Sequence, residues 1–157
     1  FNSSTAAISG HSGIEVTLLP EEAVVHEAQV VLMGEEFFRI PARTMDHEIE
    51  GGCTMTGDTT VFAVMPHMHT FGTFMSVETG GSVSQILHED FYSFDEQKYT
   101  TFEPLDLSSG DRINVLCRYD NPGDNVVNFG DSTLSEMCYA VVYRYPVVRS
   151  PGITCTL

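Results

Sequence analysis

Two histidines one residue apart, His67 and His69, close the run Val61-Phe62-Ala63-Val64-Met65-Pro66-His67-Met68-His69-Thr70-Phe71-Gly72. The run carries no Asp, Glu, Lys or Arg, is rich in β-branched and aromatic residues, and ends in glycine, which reads as a buried strand. In an extended chain residues i and i+2 share a face, so this spacing sets two imidazoles side by side and turns Met68 away. Paired imidazoles are what a transition-metal ion needs. The same His-x-His also describes two ordinary histidines at a strand end, so a third donor is required. Met137, within Glu136-Met137-Cys138, is the candidate. Its thioether is soft and neutral, which with two imidazoles favours Cu(I) over Zn(II), Mg(II) or Ca(II), while the imidazoles hold both copper oxidation states. Such a set leaves a coordination position open for oxygen or a substrate. A methionine in a strand is more often core filler, and spacing alone does not separate the two.

The elements that must position these side chains read as strands. Residues 1–12 are rich in Ser, Thr, Ala, Gly and Asn and read as a linker or the remnant of a preceding domain. Gly13 to Leu19 alternates polar and apolar as a strand that Pro20 stops. Ala23 to Met33 fits a helix by composition, but its β-branched density favours strand. Phe37 to Pro41 is a short strand, and Thr44 to Glu50 alternates until Gly51-Gly52 turns it toward Cys53. After the histidines, Thr73 to Glu78 and Val83 to His88 flank the hairpin signal Thr79-Gly80-Gly81-Ser82. Lys98 to Phe102 is broken at Pro104 and again at Ser109-Gly110-Asp111. Arg112 to Tyr119 alternates before the turn at Asp120 to Asn125. Tyr139 to Tyr145 is a long apolar strand stopped by Pro146, and the tail returns through Ile153 to Cys155. No heptads, long repeats or amphipathic helix appear. Roughly ten short strands at this spacing predict one all-β domain over residues 13–157, an antiparallel β-sandwich of jelly-roll type.

Composition narrows the partners. The chain has 157 residues, 42% hydrophobic and 18% charged, enough for one domain with a core. Its 22 Asp and Glu against 7 Lys and Arg give a formal net charge of −15, which disfavours nucleic acid and anionic membrane. No apolar run is long enough for membrane insertion, and Phe1 to Thr5 lacks the basic and apolar regions of a signal peptide. Four cysteines, Cys53, Cys117, Cys138 and Cys155, lack the close spacing of zinc sites. They argue for two disulfides and an oxidising compartment (secreted, extracellular or periplasmic), with three pairings open by arithmetic. His11, His26, His47 and His88 are scattered and read as surface or packing residues.

Several segments together resemble a known family. Pro66 to Gly72, Tyr92-Ser93-Phe94-Asp95-Glu96-Gln97, Gly110 to Asn121, Phe129 to Cys138 and the closing Tyr145-Pro146 are similar, in order, to the C-terminal domain of the copper type II, ascorbate-dependent monooxygenases. That family includes peptidylglycine α-hydroxylating monooxygenase and dopamine β-monooxygenase. The resemblance implies a jelly roll of roughly eight or nine strands and one copper held by His67, His69 and Met137, at which oxygen is activated. It implies the disulfides Cys117–Cys138 and Cys53–Cys155. The first would close a loop of about 20 residues, worth roughly 3 kcal/mol by loop entropy, and the second somewhat more. It implies O2, an unidentified small organic substrate, and ascorbate or another reductant. It also implies a preceding electron-donor domain with its own copper on three histidines, a set absent here. Phe1-Asn2-Ser3 and Ser12-Gly13-Ile14 resemble the exit from that domain.

The chain departs from the peptide-amidating members at the substrate's carboxylate. Where they carry arginine, asparagine and tyrosine, this sequence has Met65, Tyr139 and Val141. A glycine-extended peptide is therefore not expected, and an apolar or aromatic compound is allowed. Glu136 reads either as a hydrogen-bond acceptor behind the ligands or as a solvated strand-end carboxylate. Tyr143 and Tyr145 are candidates for tuning the site or shuttling electrons, with packing the plainer reading, and Gln97 and His88 read as structural. Gly-x-Ser-x-Gly, a P-loop and Gly-x-Gly-x-x-Gly are all absent. The expectation is the catalytic copper domain of a monooxygenase that hydroxylates a C–H bond. The alternative is a secreted single-copper module for binding, storage or delivery without catalysis, and a vestigial jelly-roll assembly unit is weaker because all three donors are intact.

Overall fold

Strand β8 (Arg112–Asn121) shows why this chain builds sheets. Its residues alternate without a break between buried and half-exposed, with Ile113, Val115, Cys117, Tyr119 and Asn121 inward. A period of two is that of a strand with one face on a core. The computed structural model describes residues 6–148 and 154–156, so the lead-in at 1–5 and Ile153 lie outside the described residues. The other strands in chain order are β1 (Gln29–Glu35), β2 (Arg39–Ile40), β3 (Thr44–Thr54), β4 (Thr59–His67), β5 (Gly72–Gly80), β6 (Ile86–Phe91), β7 (Thr100–Leu107), β9 (Val127–Asn128), β10 (Cys138–Tyr145) and β11 (Thr154–Thr156).

The sheet runs β6-β5-β8-β3-β1-β10-β4-β7, with β11 beside β1, while β2 and β9 form a separate ribbon. Its path folds over between β3 and β1, which register through Gly52 and Gly34. Only glycine allows that approach: a Cβ on Gly51 would overlap the Gly34 backbone, and one on Gly34 would overlap the Cys138 carbonyl. Two four-stranded layers result, with β1 and β10 packed over β8. Cys117–Cys138 joins the layers through the core, and Cys53–Cys155 fastens β11 to β3. This is the all-β, antiparallel jelly-roll sandwich that the sequence predicts, with both implied disulfides in place. Met33, Met75, Val77, Ile113 and Val142 fill the space between the layers.

Several element boundaries differ from expectation, each for a physical reason. Gly13 to Leu19 forms no strand, and Ile14, Val16 and Leu18 are exposed. Alternation supplies a face, but a strand also needs a neighbour for its peptide groups. The strand expected from Ala23 starts at Gln29, opposite Arg144, because the partner β10 ends one residue later. Before it, Glu21–Ala23 is a single 3-10 turn. Gly51-Gly52 is not a turn but lies within β3, where it serves the layer junction. Pro104 does not break β7, since β7 is a sheet edge where a missing N–H costs no ladder bond. The hairpin partner expected over Val83 to His88 lies later, at Ile86–Phe91. Asp111 accepts the Ser82 N–H and hydroxyl, which holds the start of that segment off the ladder. Among the described residues no helix is long and apolar enough to cross a membrane.

Candidate metal centre

β4 ends at His67 because the chain turns there, with the Gly72 N–H reaching back to the His69 carbonyl at 3.4 Å. The turn is held from inside by Met68, which is fully buried and points away from the histidines as the spacing predicts. Gly72 makes room for it: a Cβ there would stand 2.8 Å from the Met68 Cβ and 3.0 Å from its sulfur. The His67 and His69 rings lie 5.4 Å apart, centroid to centroid, nearly perpendicular.

One segment, Tyr92 to Gln97, brackets the histidines from one side. The Tyr92 hydroxyl donates to the Met68 carbonyl at 2.5 Å and accepts the Met68 N–H at 3.1 Å. Burial pushes the Tyr92 pKa up to about 12; the bond to Met68 opposes the rise and the Glu136 charge adds to it, so the phenol stays a donor. Phe94 sets its ring edge-on to His69 at 6.2 Å. The Gln97 amide donates to the Phe94 carbonyl at 3.1 Å, which turns its oxygen toward His67 Nδ1 at 2.9 Å.

The second bracket is Ser135 to Met137. His69 Nδ1 lies 2.8 Å from the Ser135 carbonyl. The Gln97 and Ser135 oxygens only accept, so Nδ1 is the donor in both rings, the tautomer that leaves Nε2 of each ring for a metal. Glu136 is fully buried and accepts the backbone N–H groups of His69 and Phe71, each at 2.7 Å, and more loosely that of Met137 at 3.4 Å. Burial raises its pKa, and the N–H groups of Phe71 and His69, the His69 ring and the Met137 N–H oppose the rise. The Tyr119 hydroxyl, reaching across from the other layer, donates to the Met137 carbonyl at 2.7 Å.

Met137 and His67 line one cavity of about 480 Å³ on the outer face of the β1-β10-β4 layer. Its apolar floor is Leu32, Met65 and Val141, and its walls include Phe129, Tyr139, Glu36, Asp131 and Thr154. Tyr139 stands opposite His67 in the ladder and donates to Glu36. Burial, then Glu36, Asp131 and Glu35, raise the Tyr139 pKa, so it too remains a donor. Among the described residues no three of His, Cys, Asp or Glu are grouped to hold a metal. Met137 lines the cavity together with His67, and a thioether joined to imidazoles is a donor set that suits copper better than a hard cation.

The remaining sequence candidates lie elsewhere. Tyr143 packs near Phe62 with ring centroids 6.2 Å apart, and Tyr145 stacks on His26 at 4.4 Å. His88 meets Thr100 at 3.4 Å and is lowered in pKa by burial, against the pull of Asp90. Gln97, expected to be merely structural, instead orients His67 from 30 residues away. No spacing rule connects the two, and in the sequence only the resemblance of the Tyr92 to Gln97 segment to the family marks it. Met65, Tyr139 and Val141, noted for what they replace, meet in the cavity wall and floor.

Comparison with known families gives a match over residues 26–156 to the family described as copper type II ascorbate-dependent monooxygenase, C-terminal domain.

Proposed function

The chain belongs to the copper type II, ascorbate-dependent monooxygenases, as their C-terminal domain, and from that premise we propose that it is the oxygen-activating half of a two-copper hydroxylase. His67, His69 and Met137 would hold its one copper ion. The observation that carries this reading is the pair of rings 5.4 Å apart, each with its Nδ1 on a protein acceptor, with Met137 lining the same cavity as His67. Such acceptors fix tautomer and ring orientation in metal sites.

Copper held there supplies the chemistry by which one oxygen atom of O2 enters an aliphatic C–H bond, with ascorbate or another reductant as electron source. The chain's own residues prepare the place. Gln97 and the Ser135 carbonyl set the imidazole tautomers, Glu136 and Tyr92 fix the backbone that carries them, and Leu32, Met65 and Val141 seat an apolar substrate and keep water off it. A capture or delivery module needs the same ligands but no cavity beside them, so the cavity favours the enzyme. The second electron would come from a preceding donor domain, with residues 1–12 as the lead-in from it and 13–157 as the catalytic unit. Two disulfides suit an oxidising compartment, and secretion or periplasmic export is part of the reading.

Anaerobic titration with Cu(I) tests the ligand set. One tight site per chain is expected, weakened by more than about a hundredfold in His67→Ala and in Met137→Leu, since even residues behind a metal ligand are worth tenfold to a hundredfold. Unchanged affinity in both variants would remove the assignment.

A further inference from the structure

Met137 lies just outside the sheet, one residue before β10 begins. Its N–H meets the Glu136 carboxylate only at 3.4 Å, and its carbonyl accepts the Tyr119 hydroxyl at 2.7 Å. The closer of these two bonds thus comes from β8, in the other layer. Tyr119 has no room to drift. It is fully buried, its ring stacks on Phe38 at 5.9 Å, and its backbone is in register with His47 of β3 and Gly72 of β5. Two residues before it, Cys117 is joined to Cys138, the residue after Met137. One residue after it, the Asp120 N–H reaches the Phe71 carbonyl at 2.9 Å, in the turn that follows His69. β8 therefore grips both arms of the site, the histidine turn through residues 119 and 120 and the methionine through residues 117 and 119.

We infer that Tyr119 is a positioning residue for the Met137 thioether, its hydroxyl fixing the peptide from which the sulfur reaches a copper ion at the two imidazoles. The inference rests on reading Met137 as a ligand of that copper. Groups that hold a metal ligand from behind are worth tenfold to a hundredfold in metal affinity. Here the effect is selective for oxidation state. A thioether is soft, so its contact matters more to Cu(I) than to Cu(II), which the imidazoles hold as well. Loss of the Tyr119 hydroxyl therefore weakens Cu(I) binding, spares Cu(II) and lowers the reduction potential. A tyrosine that only packed the core would cost stability and leave the ratio of the two affinities alone.

Tyr119→Phe removes the hydroxyl and keeps the ring that stacks on Phe38. With Cu(I) and Cu(II) titrated separately, it should bind Cu(I) roughly tenfold more weakly and Cu(II) as before. That is a fall of about 59 mV in reduction potential for a one-electron couple. X-ray absorption of the Cu(I)-loaded variant should show the sulfur farther from copper or lost, with both nitrogens retained. Val77→Ala, a truncation in the core between the layers, should lower the denaturation midpoint and leave the affinity ratio unchanged. Equal weakening of Cu(I) and Cu(II) in Tyr119→Phe, no weakening of either, or the same fall in potential in Val77→Ala would overturn the inference. Cu(I) bound without sulfur in the unaltered protein would remove the ligand assignment and this inference with it. Sulfur present there and unmoved in Tyr119→Phe would overturn the positioning role alone.

Discussion

Residues 13–19 and residues 61–69 both carry apolar side chains in a pattern that predicts a strand, and they end in opposite conditions. In the first, Ile14, Val16 and Leu18 are 91%, 66% and 82% exposed. In the second, β10 and β7 flank the strand, and two distant segments close over its end. Tyr92, Phe94 and Gln97 meet Met68, His69 and His67 in turn, and Ser135 and Glu136 meet His69 and Phe71. A local pattern thus proposes a strand, but partners far along the chain decide whether it forms and whether its histidines are held.

The sharpest way to break the contrast is at Glu136. Glu136→Ala leaves the buried N–H groups of His69, Phe71 and Met137 without their acceptor. An orphaned buried donor costs about 1–3 kcal/mol, and a loss of about 3 kcal/mol in chemical denaturation is expected. A loss below about 0.5 kcal/mol, the scale of an ordinary surface change, would show that the carboxylate does not organise the site. Gln97→Leu removes the His67 acceptor at the edge of the same bracket. It should weaken Cu(I) binding by roughly tenfold to a hundredfold while costing about 1 kcal/mol of stability, and Gln97→Glu, which keeps an acceptor, should restore most of the affinity. Equal loss in both variants would argue that Gln97 only packs. At the bottom of the scale, replacing Ile14, Val16 and Leu18 one at a time by serine should shift stability by no more than about 0.5 kcal/mol each. A loss of about 2 kcal/mol at any of them would mean that its side chain is buried after all.

What could be read without coordinates follows the same division. The alternation of β8 and the apolar run of β10 are local signals, and both lie where the sequence puts them. The His-x-His pair is local too, and Met68 turns away from it as a period of two requires. The disulfide pairing became legible only through resemblance, since nothing in the spacing joins positions so far apart, and the proposal for Met137 leans on the same resemblance. Gln97 and Glu136 were the hardest to read. One acts through a hydrogen bond 30 residues away, and the other is a carboxylate buried among backbone N–H groups that no periodicity reveals. The misplaced boundaries have the same origin, because a strand's first residue depends on where its neighbour stops, as Gln29 does on the end of β10.

X-ray absorption at the copper edge of the Cu(I)-loaded protein addresses the ligand set without a detour. Two nitrogen scatterers and one sulfur per copper are predicted, with the sulfur absent in Met137→Leu and both nitrogens retained. A spectrum without sulfur, or one that Met137→Leu leaves unchanged, would contradict the account.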